Sequence, residues 1–128
     1  MVSLPDFDPH APAKARDDQR FDRAVNGLYE MGSTFKSFTM AMSLDSGSAT
    51  YKDGFDATTP LKFASFTITD THPKHRWLSM PEIYAYSSNV GTARILLDAG
   101  VKRQKAFLDR IGMLKPVEIE LPERAQPQ

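Results

Sequence analysis

Three glycines set the outline of this chain. Gly47, Gly100 and Gly112 each close a run of apolar residues spaced three or four apart, the repeat of a helix with one buried side. The first run, Phe35, Phe38, Ala41, Met42 and Leu44, opens near Ser33, behind Gly32. A second, Val90, Ala93, Leu96 and Leu97, opens after Asn89, and a third joins Val101, Phe107, Leu108 and Ile111. A shorter helix is predicted from Ser79 to about Tyr86, because Ser79 can cap it, Glu82 can reach back to that cap, and Pro81 is tolerated in a first turn. Strand signals are few. Leu61, Phe63, Phe66 and Ile68 predict one short strand or hairpin inside an otherwise loop-like stretch over 48–75. Residues 1–20 carry Pro5, Pro9 and Pro12 among several aspartates and read as extended and turn-rich, with Val2 and Leu4 alternating like the end of a strand. Beyond Lys115, Val117, Ile119 and Leu121 read as a short extended piece before a frayed end. The sum is a mainly α chain of four helices.

Composition narrows the function classes. The chain has 128 residues, 41% hydrophobic and 25% charged, which is ordinary for a globular domain and too apolar for a disordered one. Sixteen basic residues balance sixteen acidic ones, so no electrostatic footprint for nucleic acid or a membrane surface is present. The basic cluster from Val101 to Lys105 reads as a solvated helix face. With no cysteine, a disulfide framework and thiolate metal sites are excluded. No stretch reaches the roughly 20 apolar residues of a membrane span, and residues 1–5 lack the pattern of a signal peptide.

Two short motifs can carry chemistry. Ser33-Thr34-Phe35-Lys36 places a lysine one turn after a serine at the start of a helix, so both side chains share a face. A serine hydroxyl is a weak nucleophile until a base takes its proton, and lysine serves where its pKa is lowered. Chance alone supplies about 0.6 such pairs in a chain of this content, so spacing by itself equally describes a capping serine and a surface lysine. Ser87-Ser88-Asn89 falls in a break between two predicted helices. It could present a hydroxyl and an amide to a cleft, or simply connect the helices with Ser88 or Asn89 as the next cap.

The words around these motifs are more specific. Met1-Val2-Ser3-Leu4-Pro5-Asp6-Phe7-Asp8-Pro9, then Leu28-Tyr29-Glu30-Met31-Gly32-Ser33-Thr34-Phe35-Lys36, then Tyr84-Ala85-Tyr86-Ser87-Ser88-Asn89-Val90-Gly91, resemble the class B, monofunctional penicillin-binding proteins in the same order. The wording is closest to the cell-division members. Ile119-Glu120-Leu121-Pro122 resembles their segment after the helical lobe. The third family motif, Lys-[Ser/Thr]-Gly, does not occur in the sequence.

The resemblance implies a fold and a mechanism. Residues 1–128 are expected to form a partial transpeptidase domain: the helical lobe of the α+β fold shared with serine β-lactamases, with most of the central sheet missing. The sheet, a membrane anchor and an N-terminal module are expected outside the chain, with the parent on the periplasmic or extracytoplasmic face of the bacterial inner membrane. Ser33 would attack a D-Ala-D-Ala stem peptide of peptidoglycan and be acylated by β-lactam antibiotics. Lys36 would be its general base, although base assignment in the wider family is disputed. Ser87 would relay a proton to the leaving amine, and Asn89 would bind the donor's backbone amide and help position Lys36. One oxyanion donor would be the Ser33 N–H, and the other would come from the missing strand, so the chain alone is expected to be inactive or nearly so. The resemblance implies no cofactor or metal. His10, His72 and His75 read as surface loop residues. Phe35, Phe38, Met42, Ile83, Val90 and Phe107 read as core, and Tyr84 and Tyr86 as packing residues more than cleft residues. Two other readings remain: a class D β-lactamase or β-lactam sensor, which typically carries Ser-x-Val where this chain has Ser87-Ser88-Asn89, and a non-catalytic helical subdomain that packs or self-associates through exposed apolar surface.

Overall fold

In the computed structural model, residues 2–116 and 118–120 are described, so Val117 and Leu121 of the expected extended tail, and Pro122 of its resemblance, lie outside them. The chain forms two compact units: Met31–Ile111, and the segments on either side of it.

The flanking unit is held mainly by polar contacts. A 3-10 turn, Pro12–Lys14, precedes two single-turn helices, α1 (Asp17–Arg20) and α2 (Arg23–Asn26). α1 forms despite the nearby prolines because all three precede it, and the Gln19 side chain accepts from the Arg16 N–H at its start. Asp22 caps α2 by accepting from the Ala24 N–H. The Arg23 guanidinium donates to the carbonyls of Leu4 and Asp18, and Gln19 donates to that of Asp6. Val2 and Leu4 belong to no strand. Both are exposed, so their alternation reports no buried face.

The larger unit carries α3 (Lys36–Asp45), α4 (Met80–Ala85), α5 (Asn89–Ala99) and α6 (Val101–Arg110), the four helices expected. Gly47, Gly100 and Gly112 all have positive φ, which only glycine adopts at little cost, so each ends its helix as the spacing predicts. The 61–68 signal folds as a hairpin, with β2 (Leu61–Phe63) antiparallel to β3 (Phe66–Ile68) and the Phe63 and Phe66 rings stacked at 4.9 Å. A second pair, β1 (Gly54–Asp56) with β4 (Trp77–Ser79), was not expected. It brings Phe55 opposite Leu78, and both are buried. β4 runs straight into α4, whose start is fixed as predicted: the Ser79 N–H and hydroxyl both donate to Glu82 Oε2.

The core gathers Met40 from α3, Phe55 and Leu78 from the β1–β4 pair, Met80 and Ile83 from α4, and Val90 and Ile95 from α5. Fully burying a side chain such as Ile83 is worth about 1.5–3 kcal/mol, and Ile83 has no exposed surface. Met42, Ile83 and Val90 are buried as expected, but Phe35, Phe38 and Phe107 are only half-buried. Phe35 and Phe38 instead pack edge to face on one another, 5.2 Å apart. The basic stretch of α6 is solvated except for Gln104, which turns inward.

Candidate active site

Gly32, at φ +52°, turns the chain into a 3-10 turn, Gly32–Phe35, that continues directly into α3. Three residues per turn eclipses positions three apart, and so Lys36 stands over Ser33, with Nζ 3.3 Å from Ser33 Oγ. The first backbone bond of the turn runs from the Thr34 N–H to the Met31 carbonyl, so the Ser33 N–H lies ahead of it. Early N–H groups of this kind have no acceptor within their helix.

The same ammonium reaches across to the end of α4. Lys36 Nζ donates to the Ser87 carbonyl at 2.6 Å and to Ser87 Oγ at 2.8 Å. Both oxygens of Ser87 face Lys36 because of how α4 ends. The Ser87 N–H returns to the Tyr84 carbonyl and the Ser88 N–H to that of Ile83, a paired closure that needs a left-handed residue. Glycine usually fills that position. Here it is Ser87, at φ +53°. Left-handed backbone costs an L-residue about 1–2 kcal/mol, a strain of the kind that persists where surrounding bonds over-determine it.

α5 begins on the next residues. Ser88 is buried, and its hydroxyl accepts from the Gly91 N–H, the capping role foreseen for this position. Asn89 donates its side-chain amide to the Thr69 carbonyl at 2.8 Å. Asn89 thus bonds Thr69, and among the described residues no hydrogen bond joins it to Lys36, the part of its expected role that concerned positioning that lysine.

These groups border a cleft of about 310 Å³ lined by Ser33, Asp70, Thr71, His72, Tyr86, Ser87 and Asn89. Three of the four residues expected to act together are thus hydrogen-bonded to one another through Lys36, and Asn89 lines the same cleft. Tyr86 is a cleft residue and not a packing one, since the helix end turns its ring outward, where Lys74 lies over it at 4.6 Å. Tyr84 is exposed as well, and its hydroxyl bonds Ser37 Oγ. His72 is exposed, as expected of a loop residue, and also borders the cleft.

Burial lowers the pKa of Lys36 below the ordinary lysine value, and the charge of Asp70 opposes that shift in part. A lysine so placed is easier to deprotonate, and its neutral amine would sit within reach of two serine hydroxyls. Asp70 was not legible in the sequence, because its partners lie 18 and 20 residues further along the chain.

Comparison with known proteins fits this geometry. Residues 1–127 match the family described as penicillin binding protein transpeptidase domain. The chain is 43% identical over 127 residues to a probable peptidoglycan D,D-transpeptidase FtsI of Caulobacter vibrioides, covering 99% of this chain and 22% of that protein. It is 41% identical over 113 residues to a probable peptidoglycan D,D-transpeptidase PenA of Neisseria flavescens, covering 88% of this chain and 28% of that protein. Among solved structures, penicillin-binding protein A of M. tuberculosis, an imipenem acyl-enzyme complex, superposes with a TM-score of 0.78 at 21% identity, covering 98% of this chain and 33% of that one. The chain therefore spans about a third or less of the length of each of these proteins, and the last likeness speaks for the fold. Matched along almost all of its residues, this chain belongs to the penicillin-binding protein transpeptidase family.

Proposed function

We propose that the chain carries the nucleophile side of an acyl-serine D,D-transpeptidase site acting on peptidoglycan stem peptides. The observation that carries this reading is the position of Lys36 Nζ, bonded at once to Ser33 Oγ and Ser87 Oγ. Neutral Lys36 takes the proton of Ser33 as its oxygen attacks the carbonyl of the penultimate D-Ala. The tetrahedral adduct collapses, the peptide C–N bond breaks, and the leaving amine receives a proton from Lys36 by way of Ser87 Oγ. An amine from a second stem peptide then attacks the acyl-serine and returns the proton to Ser33. A β-lactam enters by the same first step, its ring C–N bond taking the place of the peptide bond. Asn89 borders the space where the donor's backbone would lie.

This reading makes the chain part of a transpeptidase domain, with the third motif and the central sheet outside these residues. The similarity to FtsI and PenA relatives supports the class B, division-type assignment. Action in the cell wall places the parent on the extracytoplasmic side of the membrane. Among the described residues no helix is long and apolar enough to cross a membrane. Ser87-Ser88-Asn89 favours the transpeptidase over the class D β-lactamase reading, and the two differ in outcome: a lactamase turns penicillin over, whereas a transpeptidase stays acylated.

The test is the intact mass of the chain after incubation with benzylpenicillin. Because the chain alone is expected to be nearly inactive, one drug molecule per chain is expected only after prolonged incubation, persisting after the drug is removed and absent from Ser33→Ala. An oxyanion donor is worth about 10²–10³ in rate, so adduct formation should be slower by that factor than in the whole Caulobacter relative. A chain that stays unmodified, even when the rest of that relative's domain is joined to it, would overturn the reading.

A further inference from the structure

Asp70 sits where the β2–β3 hairpin hands the chain to the segment bordering the cleft. Its Oδ2 accepts from Ser88 Oγ at 2.7 Å and its Oδ1 from the Val90 N–H at 2.9 Å. The preceding carbonyl, that of Thr69, accepts from the Asn89 side chain. Three consecutive residues after Ser87 are therefore clamped by two residues far away in sequence. The clamp has few substitutes. Ser88 is only 2% exposed, and a buried hydroxyl without an acceptor is costly. The Val90 N–H belongs to the first turn of α5, where no acceptor within the helix exists.

Ser87 needs such support. Its left-handed backbone is held from behind by the closure of α4 onto Ile83 and Tyr84, at its carbonyl by Lys36, and from ahead through Ser88 and the start of α5. We infer that Asp70 is a positioning residue for the reaction proposed above: by gripping Ser88 and Val90 it holds Ser87 in the backbone that turns its hydroxyl and carbonyl onto Lys36. Asp70 acts on the reacting groups through this turn. Its carboxylate is also the charge that opposes the effect of burial on Lys36. The inference rests on the acyl-serine reading for its chemistry, but its geometry can be tested without it.

Two measurements on the full chain separate the questions. The first is NMR of the resting protein. Asp70→Ala is expected to remove exchange protection at the Val90 amide and to shift the Ser87 amide and Lys36 ammonium resonances. Asp70→Asn retains an acceptor for the Val90 N–H but leaves the Ser88 hydroxyl without its own, so it should restore the Val90 protection and only part of the Ser87 and Lys36 pattern. The second is the rate of benzylpenicillin adduct formation, corrected for the folded fraction. A misplaced reacting group costs about 100-fold, and a loss of that size is expected in Asp70→Ala, in the acylation step and not in drug affinity, with a smaller loss in Asp70→Asn, which keeps the bond to Val90. Should the alanine variant fail to fold, Ser88→Ala removes one of the two bonds and carries the same comparison. Native Ser87 and Lys36 resonances in the variant, or a rate that falls only with the folded fraction, would overturn the inference. A wild-type chain that forms no adduct, even with the rest of the Caulobacter relative's domain joined to it, would count against the acyl-serine reading alone, and the NMR comparison would still decide the role of Asp70.

Discussion

Ser87 combines a poor backbone with a well-placed side chain. Glycine there would relieve the left-handed strain, yet it would remove the hydroxyl that Lys36 holds. The same tension applies to Lys36, which is drawn far enough from water for its pKa to fall. The sign of the consequence follows from linkage. Below the lowered pKa both folded and unfolded chains carry the proton, and the folded chain bears the full cost of burying the charge. Between that pKa and the ordinary lysine value the unfolded chain binds more protons, so stability rises with pH across this window. Thermal unfolding followed against pH should show the rise, and Lys36→Met should remove it. The adduct rate should climb through the same lowered pKa, because the neutral amine is the base. A stability curve identical in wild type and Lys36→Met would mean that Lys36 is not desolvated. Ser33, Lys36, Ser87 and Asn89 were legible in the sequence through the wording around their motifs more than through spacing, and the first three lie within hydrogen-bonding distance through Lys36. Asp70 was not, because a bond across some twenty residues leaves no local pattern. Nor was the left-handed Ser87, because serine has no preference for that backbone.

At the junction of α4 and α5, packing does what hydrogen bonds begin. A Cβ placed on Gly91 would lie 2.6 Å from Ile83 Cγ1 and 2.8 Å from Cδ1. Ile83 is completely buried and cannot step aside. The glycine is thus needed for close approach of the two helices, with Ser87 and Asn89 at the seam. Gly91→Ala gains about 1 kcal/mol in helix propensity but overpacks the seam at a cost of about 1–3 kcal/mol. A net loss of about 1 kcal/mol is expected in denaturant unfolding, and the adduct rate should fall with it, since α5 must move away from α4. Unchanged stability and rate together would show that the seam has room to spare. The start of α4 is fixed more openly. The Arg76 guanidinium, bonded to Glu82, and the Ser79 N–H and hydroxyl hold the Glu82 pKa down to about 2. That capping box was readable because its residues lie three apart. The β1–β4 pair was not, because each strand has three residues and the pairing joins positions more than twenty apart. Phe35, Phe38 and Phe107 read as core from their apolar spacing yet are half-buried, because periodicity reports which face is apolar and not how deeply that face is covered.

For the molecule as a whole, the four helices followed from helix spacing and the transpeptidase-type lobe from the family resemblance, but the extent of apolar surface followed from neither. In the larger unit a groove of about 360 Å³ runs between α3 and the start of α4, lined by Met40, Ala41, Leu44, Tyr51, Met80 and Tyr84. Leu44, Tyr51 and Tyr84 are each about half or more exposed. The formal net charge is zero, so no overall repulsion keeps two chains apart near neutral pH. An exposed apolar groove on a chain with no net charge favours self-association. Light scattering across a range of concentrations is expected to give an average mass that rises above one chain. Apolar association persists in salt, whereas association through charges weakens as screening grows, so the rise should survive an increase from 0.05 to about 1 M salt. Leu44→Lys places a charge in the groove and should lower the mass toward one chain. It should leave the yield of penicillin adduct unchanged, because Leu44 lies outside the cleft. A single-chain mass at every concentration would show that this surface is tolerated in water, and with it the reading of the lobe as self-associating would fall.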